Sequence, residues 1–180
     1  DGGVVGYTMA TVAGDEITEA LMRACLVDYH TAERIKMQLG KGAPISFEDV
    51  VGVEQSCSDE EIFSMIEPEV QRLADEIARR VLELNERPPS ALFLAGGGSK
   101  LAGLSGRVAD ALQMDRKRVA VAGRYFQNSA CSDIQDLDDP EYTTPLGIAV
   151  SAGLGLISDS YRVVLNGKPA KLFRSGRVTV

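Results

Sequence analysis

The run Phe93-Leu94-Ala95-Gly96-Gly97-Gly98-Ser99-Lys100-Leu101 constrains the fold of this 180-residue chain more than any other segment. Ala91 to Leu94 is a continuous apolar run suited to a buried strand. Leu101, Leu104, Val108 and Leu112 then repeat at helical spacing. Three glycines between a strand and a helix mark a turn at which a ligand can lie against bare backbone. Free amides at a helix start favour polar or negative groups there. The same pattern also serves as a tight turn that binds nothing. Two familiar phosphate loops are excluded. A Walker loop ends Gly-Lys-Ser/Thr, whereas the order here is Gly98-Ser99-Lys100. A Rossmann fingerprint needs a further glycine and an acidic residue after the next strand; Leu101 and Gly123-Arg124 stand in those places.

The neighbouring segments extend an alternating pattern. Ser58 and Glu61 have the spacing of a capping box. Ile62, Ile66, Val70, Leu73, Ile77, Val81 and Leu84 then keep a helical period to Asn85, before Pro88-Pro89. Pro68 lies inside that run and is expected to kink or divide the helix. After the glycine turn and its helix come a short strand, Val119 to Ala122, and a polar loop, Arg124 to Tyr142. Thr144 caps and Pro145 starts a helix to about Ile157, with Gly147, Ser151 and Gly155 on one close-packing face. Strands alternating with helices predict an α/β sheet with crossover connections.

Upstream, Val4 to Val12 reads as a strand after the turn Asp1-Gly2-Gly3. Asp15 is placed to cap a helix over Glu16 to Tyr29, and a second helix runs from Thr31 to Leu39 and stops at Gly40. Ile45 to Val53 reads as strand or extended chain because Val50, Val51 and Val53 favour a pleat. Tyr161 to Leu165, Asn166-Gly167 and Ala170 to Phe173 predict a terminal hairpin. Both ends read as cut from a longer protein.

Charge and cysteine usage narrow the function classes. Acidic residues outnumber basic ones, 26 to 19, for a net charge of -7. A surface of that sign repels phosphate backbones, so nucleic acid is not expected as a partner. Cys25, Cys57 and Cys131 follow no metal-ligand spacing, which suits reduced thiols in a cytoplasmic protein. His30 is the single histidine and is read as structural. Pro145 to Ile157, the longest apolar stretch, is shorter than the roughly 20 residues of a membrane span.

A second segment carries chemistry. In Ala32-Glu33-Arg34-Ile35-Lys36, Glu33 and Lys36 are three apart and share one side of a helix. A carboxylate and an ammonium side by side can hydrogen-bond ribose hydroxyls and a purine edge. They can equally be a minor ion pair on a solvated face.

Gly14-Asp15-Glu16-Ile17-Thr18, Ala32-Glu33-Arg34-Ile35-Lys36 and Leu94-Ala95-Gly96-Gly97-Gly98-Ser99-Lys100-Leu101-Ala102-Gly103-Leu104 stand in an order that resembles the second lobe of the actin-like ATPase superfamily. Within it the resemblance is closest to the bacterial cell-division family FtsA, with PilM-type pilus-assembly proteins and DnaK chaperones as further relatives. It covers about Gly2 to Ile157, where Thr144-Pro145-Leu146-Gly147-Ile148-Ala149 resembles the family's second connect helix. The resemblance implies an α/β lobe of ribonuclease H-like type, a sheet with flanking helices carrying an inserted, mostly helical subdomain IIB. Residues 1–14 and 88–158 would form the IIA-like core without its first strands. Residues 15–87 would be the IIB-like insertion, and 159–180 a hairpin that starts a following module.

The same resemblance implies ATP with Mg²⁺, bound between two lobes of a longer protein. Gly96, Gly97, Gly98 and Ser99 would face its sugar and base. Glu33 and Lys36 would approach from the helical subdomain, while Gly14 and Asp15 shape the way into it. Both phosphate loops and the catalytic acid are expected outside this chain, so it holds no catalytic residue or metal ligand and should not hydrolyse ATP alone. Expected partners are other copies, or cell-division and assembly proteins that meet the lobe surfaces; no membrane contact is encoded here. The terminal hairpin departs from FtsA, whose members end in a membrane-targeting helix. Two other readings stay open: an interaction scaffold with a decayed nucleotide site, and a lobe of a small-molecule kinase of the same superfold.

Overall fold

The computed structural model describes residues 6–121, 139–144 and 147, with the backbone alone of 164–165 and 168–169. The chain is α/β and divides into two compact units, one of residues 1–92 and 100–120, the other of 93–99 and 121–180.

In the first unit, helix α1 spans Gly14–Cys25 and buries Ile17, Thr18, Ala20, Leu21 and Cys25 along one stripe. Its N-cap is Ala13, not Asp15 as expected. Alanine has no acceptor, so the start is held by Glu16, whose carboxylate takes the Ala13 N–H at 2.7 Å. Asp15 lies inside the first turn, where a negative charge still meets the positive helix end. The helix also stops four residues earlier than Tyr29. Leu26 turns left-handed at φ 53°, and the Leu26 and Val27 amides both close on the Met22 carbonyl. Asp28 then caps helix α2, Tyr29–Gln38, accepting from the Thr31 amide at 2.7 Å.

Ile45 to Val53 is not one strand. Strand β1, Ile45–Glu48, pairs antiparallel with β2, Glu54–Cys57, with Ile45 opposite Cys57 and Glu48 opposite Glu54. The reversal is local chemistry overriding valine's preference for a pleat. Asp49 Oδ1 accepts from the Val51 and Val53 amides at 3.0 and 2.9 Å, and Gly52 takes the required positive φ of 84°. Ile45 and Phe47 face the core, while Ser46 and Glu48 face out.

Helix α3 runs unbroken over Asp59–Asn85. Both halves of the Ser58–Glu61 capping box form, at 3.2 and 2.8 Å. Pro68 does not divide the helix. Its ring costs one backbone hydrogen bond, to the Ser64 carbonyl, on an exposed face. Ile62, Ile66, Val70, Leu73, Ala74 and Ala78 are buried. The stripe ends there: Leu82 and Leu84 are exposed, and the last turns carry an ion-pair ladder of Glu76, Arg79, Arg80 and Glu83. α1 packs against α2 and α3, and α3 against helix α4, Leu104–Ala111. Gly103, at φ 75°, precedes α4, which therefore starts later than the turn itself.

No strand forms over residues 6–13. Tyr7 and Met9 are largely exposed, and an extended segment becomes a strand only beside a partner edge. Strands β3, Leu92–Leu94, and β4, Val119–Val121, are neighbours in a two-stranded sheet, with α4 between them in sequence. Within the second unit, Pro140–Tyr142 is a 3-10 turn capped by Asp139 where a loop was expected. Thr143 and Thr144 are already helical, so Thr144 is not the cap. Strands β5, Val164–Leu165, and β6, Lys168–Pro169, pair across Asn166-Gly167 as the turn residues predict. The rest of the predicted helix to Ile157, and Ala170 to Phe173, lie outside the described residues. Among the described residues no helix is long and apolar enough to cross a membrane.

Candidate functional site

Gly14, Asp15, Glu33 and Lys36, singled out separately in the sequence, meet where the first turn of α1 lies against α2. Lys36 Nζ donates to Glu33 Oε1, to Thr18 Oγ1 at 2.7 Å and to the Gly14 carbonyl at 3.2 Å. Thr18 is fully buried. Its hydroxyl lies 3.1 Å from the Gly14 carbonyl and also within reach of Glu33 Oε1. One hydroxyl has one proton, so Thr18 serves one of these acceptors at a time while accepting from Lys36.

The Glu33 and Lys36 side chains keep 30% and 20% of their exposure, so the cluster opens on one side. Burial alone would push the Glu33 carboxyl up. The hydrogen bonds from Lys36 and Thr18, with the Lys36 charge, outweigh it and hold the carboxyl below its ordinary value. Glu33 Oε2 accepts no hydrogen bond among the described residues. A Cβ on Gly14 would meet Lys36 Nζ at 3.6 Å, an ordinary contact, so its carbonyl rather than its lack of side chain matters.

Asp15 acts on Tyr29, half exposed at the first turn of α2. The Asp15 carboxylate, and after it Glu33, push the Tyr29 hydroxyl above the usual phenol range. Tyr29 and Glu33 are four apart, hence on one helix face. Sequence reasoning had not given Thr18 and Tyr29 any role. The signal for Thr18 was a polar residue inside the buried stripe of α1; Tyr29 offered none.

The glycine turn belongs to the second unit. Gly96 adopts φ 85°, and residues Gly97–Lys100 form a 3-10 turn. Among the described residues a Cβ on Gly96 or Gly98 would meet nothing within 4 Å, and one on Gly97 would meet Glu141 Cβ at 4.0 Å. The Gly96 amide donates to the Pro140 carbonyl at 3.0 Å. Ser99 is buried, and its hydroxyl and amide both close on the Gly96 carbonyl, at 2.7 and 3.1 Å. In this structure Ser99 holds the turn, and the glycines present its surface.

Elsewhere in the first unit, Leu39, Gly40, Asp59, Phe63, Glu67 and Ala102 line a groove of about 380 Å³. None of Gly14, Asp15, Glu33, Lys36, Gly96, Gly97, Gly98 and Ser99 lines it. Among the described residues no group of three or more His, Cys, Asp or Glu side chains could hold a metal ion. In comparisons with known proteins the chain matches no family model and no curated protein.

Proposed function

We propose that this chain is the adenosine-contacting lobe of an actin-like, FtsA-type nucleotide-binding protein of the cytoplasm. The observation that carries the reading is the meeting of Gly14, Thr18, Glu33 and Lys36 in one hydrogen-bonded cluster. These residues come from two separate motifs, and nothing in the spacing of a solvated ion pair requires them to converge. A half-exposed tyrosine ring stands on the same helix face as a carboxylate whose Oε2 accepts no hydrogen bond among the described residues, which suits a flat base carried on a hydroxyl-rich sugar. Within the second unit, the glycine turn meets no described side chain at Gly96 or Gly98, which suits backbone that a ligand approaches closely.

Mg²⁺ in this reading rides on the phosphates, and groups outside this chain bind them. Hydrolysis needs those groups, so the lobe binds nucleotide and does not turn it over alone. Partners, namely other copies or cell-division and assembly proteins, would read the resulting opening and closing of the cleft.

An interaction scaffold is the second reading. The β1–β2 turn favours it, because Val50, Val51 and Val53 are all exposed at one tip. Calorimetric titration with ATP and with adenosine, beside a Glu33→Ala, Lys36→Ala double variant, separates the two. Binding that disappears in the variant is expected. No heat with the unaltered protein would sink the nucleotide reading in favour of the scaffold.

A further inference from the structure

The groove in the first unit lies where the end of α2 and the loop before α4 meet the first turns of α3. Leu39, Phe63 and Ala102 give it an apolar lining, and Asp59, Glu60 and Glu67 are its carboxylates. Its walls are fixed by their own contacts. Gly42 donates its amide to Asp59 Oδ2 at 2.8 Å, and a Cβ on Gly40 would meet Ala102 Cβ at 3.3 Å. The Arg107 guanidinium stands over the Phe63 ring, 5.5 Å from its centroid, and donates to Gln71 at 2.9 Å and to Glu67 Oε1 at 2.7 Å. At about 380 Å³ the groove has the size of a small-ligand site.

Its charge is unbalanced. Arg107 answers Glu67, but among the described residues no lysine or arginine, the neighbouring Lys41 included, pairs with Asp59 or Glu60. Asp59 Oδ1 is buried with no hydrogen-bond partner among those residues, a costly state for a carboxylate oxygen. Asp59, Phe63 and Glu67 recur every four residues on one face of α3. The two acidic positions therefore lie about 12 Å apart along the helix, with the ring between them.

We propose that this groove binds a linear aliphatic polyamine. One ammonium meets Asp59 and Glu60, and the methylenes lie on Leu39, Phe63 and Ala102. A second ammonium uses the acceptor capacity that Arg107 leaves on Glu67, since a carboxylate has about four lone-pair sites. A divalent metal suits the groove less: no group of three acidic side chains among the described residues could hold one, and an apolar lining offers a hydrated ion no ligands. A monoamine answers only one end. The groove shares no residue with the Thr18 cluster, and the inference does not rest on the nucleotide reading.

Calorimetric titration of the chain with spermidine at low salt, beside butylamine and Mg²⁺, tests the site. One equivalent of spermidine should bind, butylamine at least about tenfold more weakly, and equimolar Mg²⁺ should not displace it. Asp59→Asn with Glu60→Gln keeps the acceptor for Gly42 and removes both charges, so affinity should fall about tenfold. Glu48→Gln with Glu54→Gln makes the same charge change on the β1–β2 hairpin and should leave affinity unchanged. Should the first double variant not fold, exposed Glu60→Gln alone should weaken binding about threefold, against no change for Glu54→Gln. No binding, several equivalents, displacement by Mg²⁺, or equal losses at the groove and the hairpin would overturn the inference. So would an amidated Lys-Leu-Lys peptide, equal to spermidine in charge, that binds about tenfold tighter; the occupant would then be a basic protein segment.

Discussion

Replacing Lys36 by methionine keeps its packing against α1 and removes the charge from the cluster. Glu33 then loses its strongest donor, and Thr18 and the Gly14 carbonyl each lose one hydrogen bond. Hydrogen bonds to charged groups contribute about 1.5–3 kcal/mol when buried, and exposed pairs about 0.2–1 kcal/mol. With 30% and 20% of the side chains exposed, the Glu33–Lys36 coupling belongs between these limits. A double-mutant cycle of Lys36→Met and Glu33→Gln, measured by urea unfolding, should give about 1–2 kcal/mol at pH 7.

The sign with pH follows from the carboxyl. Its folded value lies below the ordinary 4.5, so its stabilisation is fully present above that value. It is lost as pH falls through the lower folded value, and the cycle should shrink toward zero there. A coupling under about 0.3 kcal/mol at pH 7, within ordinary additivity error, would refute the reasoning. So would one that grows in acid, which would mean that the cluster favours the protonated carboxyl over the carboxylate.

Two further outcomes follow from packing. Pro68→Ala restores an amide to the Ser64 carbonyl inside α3, offset partly by a looser unfolded chain, and should stabilise the fold by about 1–2 kcal/mol. Thermal unfolding checks it, and no change would mean that the Ser64 carbonyl already has an equivalent partner. Burial pushes the Cys25 thiol up and covers it, whereas Cys57 is partly exposed. Iodoacetamide should therefore modify Cys57 about tenfold faster than Cys25 in the folded chain, because burial both covers Cys25 and lowers its thiolate content. Equal rates, followed by mass spectrometry, would contradict the burial of α1's inner face.

The sequence by itself determined the features whose partners lie within a few residues. Ser58 and Glu61 form their capping box because helix geometry brings positions three apart together wherever the helix sits. Val164–Leu165 pairs with Lys168–Pro169 on either side of Asn166-Gly167, the two-residue signal that marks a hairpin in sequence alone. The turn at Asp49 to Gly52 was equally local, yet the neighbouring valines masked it; β-propensity describes a half-buried pleat, and Val50 and Val51 are exposed.

Tertiary structure decided the rest. Residues 6–13 have strand-like composition but form no strand, since a ladder needs an edge that no local pattern can promise. Val81 and Leu84 continue the helical period of α3 past the end of the buried face, because period shows which side is apolar and not how far the core extends. Glu33 and Lys36 were legible as neighbours at helical spacing. Thr18 became part of the site only when α1 lay against α2, placing its hydroxyl beside partners 15 and 18 residues away. Local spacing names the groups able to do chemistry, and only the packing of one helix on another determines which protons they have left to offer.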